Sequence, residues 1–166
     1  MQVDPKTDVL GPSGRVTAHE PPPSVGMDAW HSLLRAHATL MRQLEIDLER
    51  ETGLALADFD VLAQLSRAGG ELRMTELATR ALISRSGMTR RVTRLVDEGL
   101  VRRGTADSDG RGVVVALTEE GAARLTETAP VHLRGVSELF VAQLDEHELN
   151  ALKTALNKVI VDCAFG

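Results

Sequence analysis
The stretch Met74–Gly121 reads MTELATRALISRSGMTRRVTRLVDEGLVRRGTADSDGRGVVVALTEEG. A short helical pattern covers Met74–Arg80, a polar turn follows around Ile83–Ser86, and a longer helical pattern runs to Glu98. Two β-rich runs come next, Leu100–Gly104 and Val113–Leu117, joined by the loop Thr105–Gly112. Helix, turn, basic helix and β-hairpin in that order make a winged helix-turn-helix, an arrangement that lays its second helix in the major groove of DNA.

A wheel at 3.6 residues per turn divides the second helix. Met88, Val92 and Leu95 fall on one face with Val96 at its margin, and Ser86, Arg90, Thr93 and Asp97 fall opposite, flanked by Thr89 and Arg94. Ser84 or Ser86 suits the N-cap, where a hydroxyl accepts from an unpaired backbone N–H. Gly87 slims the first turn so that backbone can approach a phosphate or base edge. Gly99 suits the position just past the helix end. Guanidinium and hydroxyl groups on the outward face match phosphate oxygens and the O6 and N7 acceptors of guanine. The expected DNA-facing set is Ser84, Arg85, Ser86, Gly87, Thr89, Arg90, Thr93 and Arg94, with Arg90 reading bases and Arg94 meeting phosphate.

The wing adds two residues to this set. Val113, Val115 and Leu117 alternate with Val114 and Ala116, predicting a strand with one face inward. Asp107, Ser108, Asp109, Gly110 and Gly112 are turn formers. Arg111 stands among them where a long cation reaches a minor groove, and Asp109 is placed to pair with it.

These residues resemble the MarR family of bacterial transcription regulators. The resemblance rests on Leu62–Gly70 (L-x-x-L-x-R-A-G-G), Met74–Ala78 (MTELA), Ser86–Arg90 (SGMTR), Arg94–Arg103 (RLVDEGLVRR), Asp109–Thr118 (DGRGVVVALT) and Gly121. It covers roughly residues 27 to 165 and is densest over Leu62–Gly121. In this chain Gly110 replaces the first of two basic residues usual in the family's wing, and Arg111 keeps the second. The resemblance implies a dimeric DNA-binding regulator, usually a repressor, tuned by a small phenolic or other aromatic anion between the dimerisation helices and the reading head. Trp30, His37, Met41 and Arg67 are the candidate lining of that cleft, each with an equal reading as dimer core or surface.

Charge divides the same way. The whole chain carries −5, yet Arg80–Arg111 holds eight arginines against four acids, a net +4, which leaves −9 elsewhere. A basic reading head on an acidic body is expected when one face meets phosphate. The same basic helix would also suit an acidic protein surface, which is the alternative partner. Four aromatic residues, none of them Tyr, disfavour single-strand or RNA binding, which relies on stacking. The pattern contains no G-x-S-x-G, P-loop, H-E-x-x-H or C-x-x-C, and His31, His37, His132 and His147 lack metal-ligand spacing, so neither an enzyme nor a cofactor or metal is expected. Cys163, the sole cysteine, excludes an internal disulfide and points to a reducing compartment. Reactive cysteines in the family lie near the N-terminus, so Cys163 reads as a packing residue. No apolar run or signal-like start is present, and a cytoplasmic location is expected.

The expected fold is mainly α (α+β): a winged helix-turn-helix with long N- and C-terminal dimerisation helices. Residues 1–26, with five of the six prolines, read as an irregular arm, and 27–166 as the domain. Within it, 27–53 and 119–165 supply dimerisation helices and 54–118 the reading head. The first helix turns Trp30, Leu33, Leu34, His37, Leu40, Met41, Leu44 and Leu48 to one side, and a second, over Ala57–Ala68, is capped by Asp58. After the wing a long helix starts at Thr118, with Leu125, Ala129, Leu133, Val136 and Phe140 inward and a kink at Pro130. Asp145 caps a last helix bearing Leu149, Leu152, Leu156, Val159 and Ile160. Apolar faces on the terminal helices predict an isologous dimer, rather than a monomer with the helices folded back.

Overall fold
The computed structural model describes residues 24–105 and 112–164, without the side chains of 161–164. Ten elements follow in order: α1 (Ser24–Thr52), α2 (Leu56–Arg67), β1 (Glu71–Arg73), α3 (Met74–Arg80), α4 (Arg85–Asp97), β2 (Val101–Thr105), β3 (Val113–Leu117), α5 (Glu119–Leu139), a 3-10 turn (Val141–Gln143) and α6 (Glu146–Ala164). The chain divides into two units between Thr39 and Leu40. Of the first, the described part is the Ser24–Thr39 portion of α1, where Trp30, Leu33 and Leu34 are exposed. Helix α1 starts three residues before the expected Met27.

In the second unit the core gathers the inward stripe of α4 (Met88, Val92 and Leu95) with Val61, Leu62 and Leu65 of α2, Leu77 of α3 and Val115 of β3, all fully buried. The sheet is antiparallel with strand order β1-β3-β2, and its registers set Leu72 opposite Val115 and Arg103 opposite Val115 on the other side. Strand β1 was not expected, since three residues are too few to show an alternation. Its presence makes β3 the central strand. Ala116 is therefore buried beside Val115, while Val113 is exposed at the outer end of the strand.

Helix α2 departs from expectation at its start. Ala55 is the N-cap and makes no side-chain cap bond; the Leu56 N–H donates instead to Glu45 Oε2 at 3.0 Å. Asp58 lies in the first turn, 3% exposed, its carboxylate occupied by arginines of α4 rather than by the helix end. Helix α5 packs Leu125 and Ala129 against the core as expected but departs from its expected inward stripe at Leu133. Gly121, Thr128 and Gly135 are the buried positions, seven residues apart, and Leu133 is 63% exposed. Small residues sit where α5 comes closest to its neighbours: a Cβ on Gly121 would lie 2.0 Å from the Leu100 carbonyl oxygen, and one on Gly135 would lie 2.6 Å from Leu44 Cδ2. The helix continues through Pro130 to Leu139. Thr118 caps it as expected, accepting from the Gly121 N–H at 2.9 Å while donating to the Gly99 carbonyl at 2.7 Å. Asp145 and Glu148 bond reciprocally to each other's backbone N–H at 2.8 and 2.9 Å, a capping box at the start of α6.

Candidate nucleic-acid interface
Helix α4 is defined at both ends by its own sequence. Ser84 is the N-cap, its Oγ accepting from the Gly87 N–H at 3.2 Å. A Cβ on Gly87 would lie 3.0 Å from both Ser84 Oγ and Ile83 Cγ2, so the glycine here protects the cap and the turn beneath it. At the other end Gly99 adopts φ +75, and the Leu100 and Gly99 N–H groups return to the Leu95 and Val96 carbonyls. That is the two-bond C-terminal closure in which a left-handed residue is required. The turn before α4 closes α3 in the same way, with Ile83 N–H to Ala78 O and Leu82 N–H to Thr79 O. There the left-handed position, φ 54, is filled by Leu82, whose side chain is 93% exposed.

With Met88, Val92 and Leu95 buried, Arg85, Ser86, Thr89, Arg90 and Thr93 form the exposed face of α4. Thr89 and Thr93 donate their hydroxyls to the carbonyls of Arg85 and Thr89, at 2.9 and 2.8 Å. Arg103 of β2 leans across this flank, donating to Thr93 Oγ1 at 2.6 Å and to the Thr89 carbonyl at 3.0 Å. On the opposite flank Arg91 and Arg94 meet Asp58 of α2, Arg91 at 2.6 Å through Nη1 and Arg94 through Nη2 to the second carboxylate oxygen. Arg94, expected to be a free phosphate contact, is thus engaged by a buried carboxylate, with Glu98 also 3.8 Å from its Nε. Neither the Arg103 clip nor the Asp58 pair was expected. Both join residues distant in the chain, and no periodicity reports such a pairing. Asp109 and Arg111 lie outside the described residues.

The match to known proteins follows the same segment. The MarR family model matches residues 52–112. The chain is 31% identical to AbsC of Streptomyces coelicolor, a MarR family transcriptional regulator, over 89% of this chain and 99% of that one, with a TM-score of 0.81. The chain belongs to the MarR family. Sco3205 of the same organism, a MarR family regulator solved in complex with DNA, is 32% identical over 84% of this chain and 91% of that one, with a TM-score of 0.77. A mutant of E. coli MarR complexed with operator DNA is 26% identical, covers 81% and 95% of the two chains and has a TM-score of 0.71. No match to a curated protein was found. MarR family members are transcriptional regulators and not enzymes.

Within this MarR fold the other candidates separate. Met41 lines an apolar cavity of about 190 Å³ with Leu40, Leu44, Val136, Leu139 and Phe140. Arg67 ends α2, and its charge helps depress the pKa of His132. Trp30 and His37 lie on exposed turns of α1 in the first unit. His132 stacks on Phe59 with ring centroids 4.6 Å apart, and its Nδ1 is buried without a hydrogen-bond partner. Burial holds its pKa below the ordinary histidine value, an effect opposed by Asp60 and reinforced by Arg67. Arg134 donates to both carboxylate oxygens of Glu51 at 2.6 and 2.7 Å, joining α5 to α1 and holding the Glu51 carboxyl below the usual range. Among the described residues no group of three His, Cys, Asp or Glu is placed to hold a metal, and no helix is long and apolar enough to cross a membrane. Cys163 falls in the last turn of α6, with its side chain outside the described set.

Proposed function
We propose that this protein is a sequence-specific double-stranded DNA-binding transcription regulator that sits on a pseudo-palindromic site as a homodimer. The observation that carries this reading is α4: one face fully buried, the other a continuous exposed surface of Arg85, Ser86, Thr89, Arg90 and Thr93 beginning at a capped N-terminus. Ser84 and Gly87 shape that N-terminus. Arg90, near it, reaches base edges, and Arg85 with the hydroxyls holds backbone phosphates. Arg111 of the wing enters the adjoining minor groove, with Asp109 beside it. The DNA complexes of Sco3205 and E. coli MarR support the same use of the fold.

The dimer is supported by apolar side chains that a single chain leaves exposed, Trp30, Leu33 and Leu34 on α1 and Val159 and Ile160 on α6. A repressor role rests on the family resemblance. A small aromatic effector is supported by the apolar cavity beside Met41. The test is a site selected by the wild-type protein from random-sequence duplexes. Arg90→Ala should weaken binding to it by ~1–3 kcal/mol and relax base preference at one position per half-site. Unchanged affinity and preference would remove Arg90 from the interface, and failure to select any site would favour a protein partner for the basic helix.

A further inference from the structure
The pair of contacts between Asp58 and the recognition helix suggests a role beyond joining α2 to α4. We propose that Asp58 is a positioning residue that determines specificity: it fixes the pose of α4 and keeps Arg94 from capturing phosphate indiscriminately. This rests on the DNA-binding reading above. Asp58 is 3% exposed, and each of its oxygens takes one guanidinium. Arg91 and Arg94, 26% and 51% exposed, stand three residues apart on the flank of α4 between its buried and outward stripes. Arg103 grips the opposite flank through Thr89 and Thr93. The helix is therefore held from both sides while its outward face stays open.

An arginine half exposed at the edge of a DNA-facing surface would, unpaired, bond any phosphate within its reach. Such contacts are sequence-independent and raise non-specific affinity, which depends on charge alone. Here Arg94 can reach a phosphate through the same N–H only by leaving a buried carboxylate, and removing one partner of a buried pair is strongly unfavourable. Arg91 is tied more deeply, with its Nε buried and unpartnered, so it cannot replace Arg94 at the surface. On α4 the phosphate contact thus falls to Arg85, beside the base-reading Arg90; the helix sets both positions, and affinity comes to depend on base register.

The experiment compares wild type, Asp58→Asn, Arg94→Gln and the double variant on two duplexes, the site selected by the wild type and a shuffled duplex of equal composition, across a salt series. With Asp58→Asn, binding to the shuffled duplex should tighten about 3- to 10-fold at low salt, with the salt slope steeper by about two, one for the Arg94 freed in each protomer. The ratio of specific to non-specific affinity should drop about tenfold or more. Adding Arg94→Gln to Asp58→Asn should return the shuffled-duplex affinity and slope to wild-type values. Arg94→Gln alone should leave both unchanged, because Asp58 already holds that cation. This last arm decides the matter if Asp58→Asn does not fold. Equal weakening of Asp58→Asn on both duplexes, no rescue by the second substitution, or a slope shallower by about two for Arg94→Gln alone would each overturn the inference. If the wild type discriminates and Asp58→Asn discriminates equally, only the inference fails; if the wild type selects no site, the DNA-binding reading fails first.

Discussion
Leu82 closes the turn before the recognition helix in a backbone conformation that L-residues adopt at a cost of ~1–2 kcal/mol. Nothing packs on its side chain, which is 93% exposed, so no burial offsets that cost. Leu82→Gly removes it, while glycine loses about 0.5–1 kcal/mol more chain entropy on folding. The net should be a gain of about 0.5–1 kcal/mol, read as a melting temperature higher by about 1–4 °C; a lower one would mean the leucine packs in solution. The two buried glycines of α5 should behave in opposite ways when changed to alanine. At Gly121 the new Cβ meets the Leu100 backbone carbonyl at 2.0 Å, and backbone cannot step aside, so a loss of about 3 kcal/mol or more is expected. At Gly135 the obstacle, at 2.6 Å, is the end of the Leu44 side chain, and alanine brings about 1 kcal/mol of helix propensity in compensation. Gly135→Ala should therefore stay within about 1 kcal/mol of wild type in denaturant melts.

At the scale of elements, α5 leans on α2 through His132 and Phe59, and this contact makes stability depend on pH. Burial lowers the folded-state pKa of His132 below the reference 6.5, so the unfolded chain binds its proton more tightly than the folded one. Stability from this residue is whole above that reference and is lost as pH falls through it toward the folded value. His132→Phe keeps the aromatic contact and removes the proton. The stability difference between wild type and variant should shift against wild type on acidification from about pH 7.5 to about pH 5. A difference constant over that range would show that His132 is not desolvated by the fold. How legible each element was follows from where its information lies. The stripe of α4, its Ser84 and Gly99 ends, the Thr118 cap and the Asp145 cap are local patterns, and each is found where the residues place it. Strand β1 escaped because three residues carry no period, and the most buried positions of α5 because close approach selected Gly121, Thr128 and Gly135, while Leu125 and Ala129 pack on the core as their spacing predicts. The exposed face of α4 was readable from the wheel. That Arg94 is engaged by Asp58, 36 residues earlier, was not, since the pairing exists only once α2 and α4 have docked.

For the whole molecule the deciding quantity is charge set against symmetry. A chain of net −5 is repelled by DNA unless its basic segment is concentrated, and the +4 of Arg80–Arg111 against −9 elsewhere is such a concentration. One reading head offers few free cations, because Arg80 pairs with Glu76 at 2.7 Å and Arg91 and Arg94 share Asp58. Two heads related by a twofold axis double that number and place one recognition helix in each half-site, about one helical turn (~10 bp) apart. If the dimer neutralises ~6–8 phosphates, log affinity should fall against log salt with a slope of roughly −5 to −7. A single head would give about half that slope, and a basic helix serving a protein partner would give a slope on DNA near zero. Sedimentation at micromolar concentration fixes the stoichiometry independently. A dimer in solution with the steep slope supports the proposed assembly, whereas a monomer at that concentration, or a dimer with half the slope, would mean that the two recognition helices do not engage one site together.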